Sequence, residues 1–312
     1  MIINVHRYRF LIILIFILLL ALTIYIWRLD VDGYEDSLQI ELEKNILCGE
    51  YLEWEEVNKL FPKKAYTDLI DLETGMRFRV QRRGGTYHAD VQPLTAEDTA
   101  TMKAVYNGEW TWKRRAVIVQ LDSGQKIAAS MNGMPHGLGN IVGNDFNGHF
   151  CLHFKGSKTH CSSKVDTAHQ LMIWKSAGRV EEELKLLEPR QAIEVLLAAL
   201  DQGEINISGQ LMDFDKNNSL LLLNLANIKK IGPYRIDSIK EDAFSVDLRV
   251  IFKDEDKEYS KKLNISTVKR DSGWKVSPKS LSSLLDRNNL SESGEAEHSV
   301  FEEDLEMEVF AD

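Results

Sequence analysis

Residues 10–27, FLIILIFILLLALTIYIW, carry no charge, and their only hydroxyls are those of Thr23 and Tyr25. As a helix rising about 1.5 Å per residue, the run is roughly 27 Å long, close to the thickness of a hydrocarbon core. Inside lipid a helix is the one single segment that satisfies its own backbone. Tyr25 and Trp27 sit at one end, where amphipathic rings favour the headgroup layer. His6, Arg7 and Arg9 precede the run, whereas Asp30, Asp32, Glu35 and Asp36 follow it. The positive-inside rule therefore predicts a single-pass anchor in the cell membrane, with a cytoplasmic N-terminus and an extracytoplasmic bulk. A cleaved leader would need a small-x-small site after the run, and the chain reads Ile-Trp-Arg-Leu-Asp there.

The remainder is long enough for two modest domains. The formal charge is -10, and nine of the acids fall between Ser291 and Asp312, a stretch with no Lys or Arg. With that tail set aside the chain is nearly neutral, so the basic stripe of a nucleic-acid surface is missing. Residues 286–312 read as a solvated acidic tail, with Phe301, Leu305, Val309 and Phe310 as the apolar content a protein partner would use. Three cysteines, Cys48, Cys151 and Cys161, are too few for a disulfide-built domain.

The pattern predicts an α+β fold in consecutive parts. A flank (1–9) and the transmembrane helix (10–27) lead into a helical stalk (28–62). A β-rich catalytic-like domain (63–185) follows, then a helix plus a curled antiparallel sheet (186–285), and last the tail. In the β-rich part Met76, Phe78 and Val80 alternate with Arg77, Arg79 and Gln81 after the turn at Thr74-Gly75. Thr95 and Asp98 have capping-box spacing, and Asp122-Ser123-Gly124 separates the halves of a hairpin. Residues 165–177 read as a helix bearing His169. In the later part Ile193, Leu196, Leu197 and Leu200 form one helix face, with Pro189 before it and Gly203 after it. Phe244, Val246, Leu248, Val250 and Phe252 alternate strictly, and further strands run to Gly-Trp-Lys-Val at 273–276. This order resembles the small cone-shaped domains similar to nuclear transport factor 2.

Six of the eight histidines lie between His88 and His169, together with Cys151 and Cys161. Dense histidines beside a cysteine, among small and polar residues, point to a site. In an extended strand His149, Cys151 and His153 share one face, so imidazoles flank the thiol. A thiol reacts as its thiolate, which needs a base or a positive field nearby. The same residue types also suit zinc: His88 and Asp90, with His149 or His153, supply three ligands and leave a position for water.

His136-Gly137, thirteen intervening residues and Cys151-Leu152 resemble the signature of the L,D-transpeptidases. The resemblance implies acyl transfer on peptidoglycan stem peptides through a cysteine thioester, with no cofactor. Cys151 is then the nucleophile, His136 the base, and His149 the family's histidine two places before the cysteine. Gly148 and Phe150 stand where the family has Ser and Gly, and His153 where it has Arg. His153, His88, Asp90 and Arg83 are the residues expected to hold substrate. Two alternatives stand beside it. One is a zinc hydrolase of the wall with Zn²⁺ on His88, Asp90, His149 and His153. The other is a non-catalytic envelope or sporulation assembly protein whose C-terminal module or tail binds a partner.

Overall fold

The computed structural model describes Thr23 and residues 48–159, 164–213 and 219–287. The run expected as an anchor lies outside the described residues apart from Thr23, which is helical and exposed. Among the described residues no helix is long and apolar enough to cross a membrane.

Six antiparallel strands close a barrel in the order β1-β2-β3-β6-β5-β4. They are β1 (Tyr66–Asp71), β2 (Arg77–Gly84), β3 (Ala89–Pro93), β4 (Arg114–Leu121), β5 (Lys126–Asn132) and β6 (Phe150–His153). Alternate residues fill the interior: Leu69, Phe78, Val80, Ala89, Val91, Val117, Val119, Ile127, Ala129, Met131, Phe150 and Leu152. Strand periodicity therefore turns Asp90, Ser130, Cys151 and His153 to the outer wall. A short helix, α1 (Trp54–Leu60), adds Trp54 and Val57 to the same core, and Phe61 follows. Helix α2 (Ala96–Val105) opens on a reciprocal Thr95–Asp98 capping box, as their spacing predicts.

The β5–β6 ladder is short, pairing Ser130 with His153 and Met131 with Leu152. Residues before α1 extend it. Glu50 bridges Ile127 and Glu53 bridges Lys155, both in parallel. Gly49 is required for this approach: a Cβ there would lie 2.3 Å from the Ala128 nitrogen.

Beyond the barrel come α3 (Thr167–Ser176), α4 (Val180–Leu186), α5 (Pro189–Gln202), α6 (Ile205–Gln210) and α7 (Ser219–Leu225). Strands β7 (Ile228–Lys240), β8 (Ala243–Phe252), β9 (Glu258–Arg270) and β10 (Gly273–Val276) form a separate sheet, ordered β10-β9-β8-β7. The apolar face of α5 and the inward residues of β8 share a second core. Gly203 ends α5 in the left-handed region at φ 78°, the expected stop signal. Helix α3 joins the two cores. Leu171, Met172 and Trp174 enter the second. His169 and Ser176, seven residues apart on one face, reach Ser130 and the Ala129 carbonyl of β5.

The expected α+β fold class is thus corrected to a closed six-stranded barrel with a second, four-stranded sheet. The alternating pattern shows which face of each strand is covered, but not that the edges meet. Closure depends on pairing β3 with β6, which are far apart in sequence. In β3 the polar Asp90 and Gln92 alternate with Ala89 and Val91, which are barrel core.

Asp71 closes the end of β1. Its carboxylate is fully buried and accepts from Arg115 Nε (2.9 Å), Arg115 Nη2 (2.6 Å), and the Thr74 amide and hydroxyl. Asp71→Ala would leave the half-buried Arg115 guanidinium with Glu73 alone, at 2.9 Å, so a loss of about 1–3 kcal/mol in denaturant unfolding is expected. A loss below about 1 kcal/mol, the worth of an exposed pair, would show that the pair does not organise this end.

Candidate functional site

The loop from 133 to 149 joins β5 to β6 and folds back over the outer wall. His136 and His149 form an antiparallel bridge, with amide-to-carbonyl distances of 2.9 and 2.8 Å. Gly148 permits it. Its φ is +111°, and a Cβ would lie 2.4 Å from the His136 carbonyl oxygen. The Gln92 side chain of β3 accepts from the amides of Asn140 and Ile141 at 3.0 and 3.1 Å. Asn144 donates to the Pro93 carbonyl at 2.7 Å, and the Thr99 hydroxyl of α2 donates to the Asn144 carbonyl at 2.6 Å. The loop is therefore tied at several points to β3 and α2.

These ties put His136 Nε2 3.1 Å from Cys151 Sγ. His136 Nδ1 lies 2.9 Å from the Met134 carbonyl oxygen, which only accepts. In the neutral ring Nδ1 must then hold the proton, so Nε2 offers its lone pair to the thiol. Trp112 packs against this imidazole with centroids 5.1 Å apart. His149 is fixed in the same way, with Nδ1 3.1 Å from the Leu138 carbonyl oxygen and Nε2 3.9 Å from Asp90 Oδ1. Its ring meets that of His136 edge-on at 4.6 Å. Cys151 is 4% exposed. It sits on the wall among imidazoles, outside the barrel's hydrocarbon, and pairs in register with Asp90.

A second group lies on the same wall under α3. His88, His153 and His169 stack nearly parallel, with centroids 4.6 and 3.8 Å apart. His88 Nδ1 is 2.8 Å from the Lys158 carbonyl, and its Nε2 is 3.1 Å from Asp90 Oδ1. His169 Nδ1 is 2.9 Å from the Ser130 hydroxyl. Burial pushes the His153 imidazole well below its usual range, and the neighbouring His169 and His88 push it further. Burial does the same to His169, helped by the Arg114 charge. Burial alone would raise the Asp166 carboxyl, but Arg114, the His169 amide and His153 outweigh it and hold it low.

One ring nitrogen each of His136 and His149 and the Cys151 sulfur lie within 4.8 Å of one another. His88, His153 and Cys151 form a second such trio, so the sulfur belongs to both. The seven expected site residues thus divide. Cys151, His136, His149, His153, His88 and Asp90 converge, whereas Arg83 turns to Gln81, to whose side-chain oxygen it donates. His160 and Cys161 lie outside the described residues. Nothing in the sequence singles out Ser130. The Asp166-x-x-His169 spacing is an N-cap signal, with the Asp166 side chain accepting from the His169 amide at 2.7 Å. Read that way, it predicts a helix start that aims His169 at the wall. No protein-family model and no curated protein matches the chain.

Two expectations follow from this geometry. His153 and His169 resist protonation when folded but accept a proton at about pH 6.5 when unfolded. Below that pH the unfolded chain binds more protons, so stability falls with pH by up to about 1.4 kcal/mol per unit per histidine. Asp166 adds its loss at lower pH, below the ordinary carboxylate range. Unfolding free energies measured from pH 7 to 5 should decline, and more shallowly in His169→Gln; identical slopes would refute the assignment. Separately, Gly148→Ala must strain the backbone and spread the His136–His149 bridge, at a cost of about 1–3 kcal/mol. An unchanged unfolding midpoint would show that the loop gives way without strain.

Proposed function

We propose that the protein is a cysteine acyltransferase of the cell wall, acting on peptidoglycan stem peptides on the outer side of the membrane. Cys151 is the nucleophile and His136 the base. One observation carries this reading: His136 Nε2 is 3.1 Å from the sulfur, while the Met134 carbonyl holds the opposite ring nitrogen. That arrangement gives a nucleophile, a base and a group orienting the base. The substrate class follows from the resemblance of His136-Gly137 and Cys151-Leu152 to the L,D-transpeptidases.

In the reaction the thiol proton passes to His136 Nε2 and the sulfur attacks the substrate carbonyl carbon. The carbon–nitrogen bond breaks, and the imidazolium returns its proton to the leaving amine. An acceptor amine, or water, then gives its proton to Nε2, attacks the thioester and releases the thiolate. His136, half-buried beside the exposed Gly137 and Leu138, lies on the open side of the sulfur. Trp112 backs the ring on which the proton moves. His149, bridged to His136 through the backbone, positions the base.

Alkylation of Cys151 by iodoacetamide at pH 7, followed by peptide mass spectrometry, tests the pair. His136→Ala should slow it by about 100-fold, the low end of what a positioned base contributes. Incubation with a tetrapeptide stem should give a wild-type thioester adduct that Cys151→Ala cannot form. Equal alkylation rates in wild type and His136→Ala would sink the proposal.

A further inference from the structure

The open side of Cys151 faces His136, and its inner side faces His88 and His153. On that inner side the groups form a ligand set. Asp90 Oδ1 stands 3.1 Å from His88 Nε2. His88 Nδ1 must donate to the Lys158 carbonyl, so in the neutral ring Nε2 presents a lone pair to the carboxylate. Two acceptors at that distance call for a proton or a cation between them. His153 is 3% exposed, and its Nδ1 is buried with no hydrogen-bond partner. Such a buried orphan has lost its water and gained no partner unless something binds it. Ligand atoms of His88, Cys151 and His153 already lie within 4.8 Å of one another. In a tetrahedral zinc site, neighbouring N, O and S ligands are roughly 3.3–3.6 Å apart, from bonds of about 2.0 and 2.3 Å.

We infer that His88, Cys151 and His153 capture a divalent metal of the zinc class, with Asp90 beside His88, and that capture silences the thiol. Two imidazoles and a thiolate are donors zinc and cobalt take. The Lys158 carbonyl fixes the His88 tautomer, as outer-shell partners of metal-bound histidines do. On binding, the thiol proton leaves to solvent and a sulfur–metal bond forms; nothing is oxidised or reduced. The sulfur's lone pair is then committed to the metal, and the His136 lone pair has no thiol proton to take. The silencing rests on Cys151 being the nucleophile; the metal site does not.

The test is a titration of the full chain, in detergent, with Co²⁺ alone. One cobalt per chain should bind, with a thiolate-to-cobalt charge-transfer band and the intense visible bands of a tetrahedral ion. Cys151→Ser should abolish the charge-transfer band. His153→Gln should weaken binding at least about ten-fold, whereas His149→Ala should leave it within about three-fold. If His153→Gln does not fold, X-ray absorption of zinc-loaded wild type decides instead. One sulfur at about 2.3 Å and three N or O ligands near 2.0 Å are expected. No uptake, a band that survives Cys151→Ser, or loss in His149→Ala with retention in His153→Gln would overturn the assignment. Saturating Co²⁺ should also suppress iodoacetamide labelling of Cys151, and chelator should restore it. Labelling that ignores bound cobalt refutes the silencing alone. Labelling that ignores His136→Ala refutes the nucleophile and leaves the cobalt spectrum to judge the metal site.

Discussion

The alternation of β6 governs the site. Phe150 and Leu152 fill the barrel, and neither is exposed. Each contributes about 1.5–3 kcal/mol by leaving water. A slip of one residue in the β3–β6 register would turn them outward and drive a thiol and an imidazole into the barrel. Such a loss rivals the net stability of many domains. The pairings Ala89–Leu152, Asp90–Cys151 and Val91–Phe150 are therefore held by the core behind them. The placement of the polar side chains on the wall is a consequence of packing inside it.

Around the sulfur, backbone carbonyls do the electrostatic sorting. Met134, Leu138 and Lys158 each take the Nδ1 of one histidine: His136, His149 and His88. Since a carbonyl only accepts, each neutral ring is left with an Nε2 lone pair, and these face Cys151 or Asp90. His153 and His169 are kept neutral by burial. A charged imidazole in that stack would lose its hydration and face the Arg114 charge. The proposed base and the proposed metal donors can coexist around the thiol because both present lone pairs.

Much of the fold follows from local pattern. The Thr95–Asp98 box, Pro189 and Gly203 around α5, and the strict alternation of β8 act over a few residues, where capping and periodicity work. Barrel closure does not act locally. It requires β3, five residues long, to meet β6, four residues long, across the intervening helix and hairpin. Such short strands carry little pattern of their own, and polar site residues interrupt what there is. The strap at Glu50 and Glu53 is set by contacts with Ile127 and Lys155, so nothing in its own residues announces it.

The amino-acid sequence by itself determined that His149, Cys151 and His153 alternate along one extended segment, while the pairing of His136 with Cys151 was only what the resemblance implied. Two-residue periodicity is a property of neighbours along the chain. Only the tertiary structure decided which imidazole touches the sulfur, that His88 and Asp90 share its other side, and that His169 completes a stack. Those contacts join β3, β6, α3 and a folded-back loop. Their distances are fixed by barrel closure and by carbonyls that no linear spacing encodes.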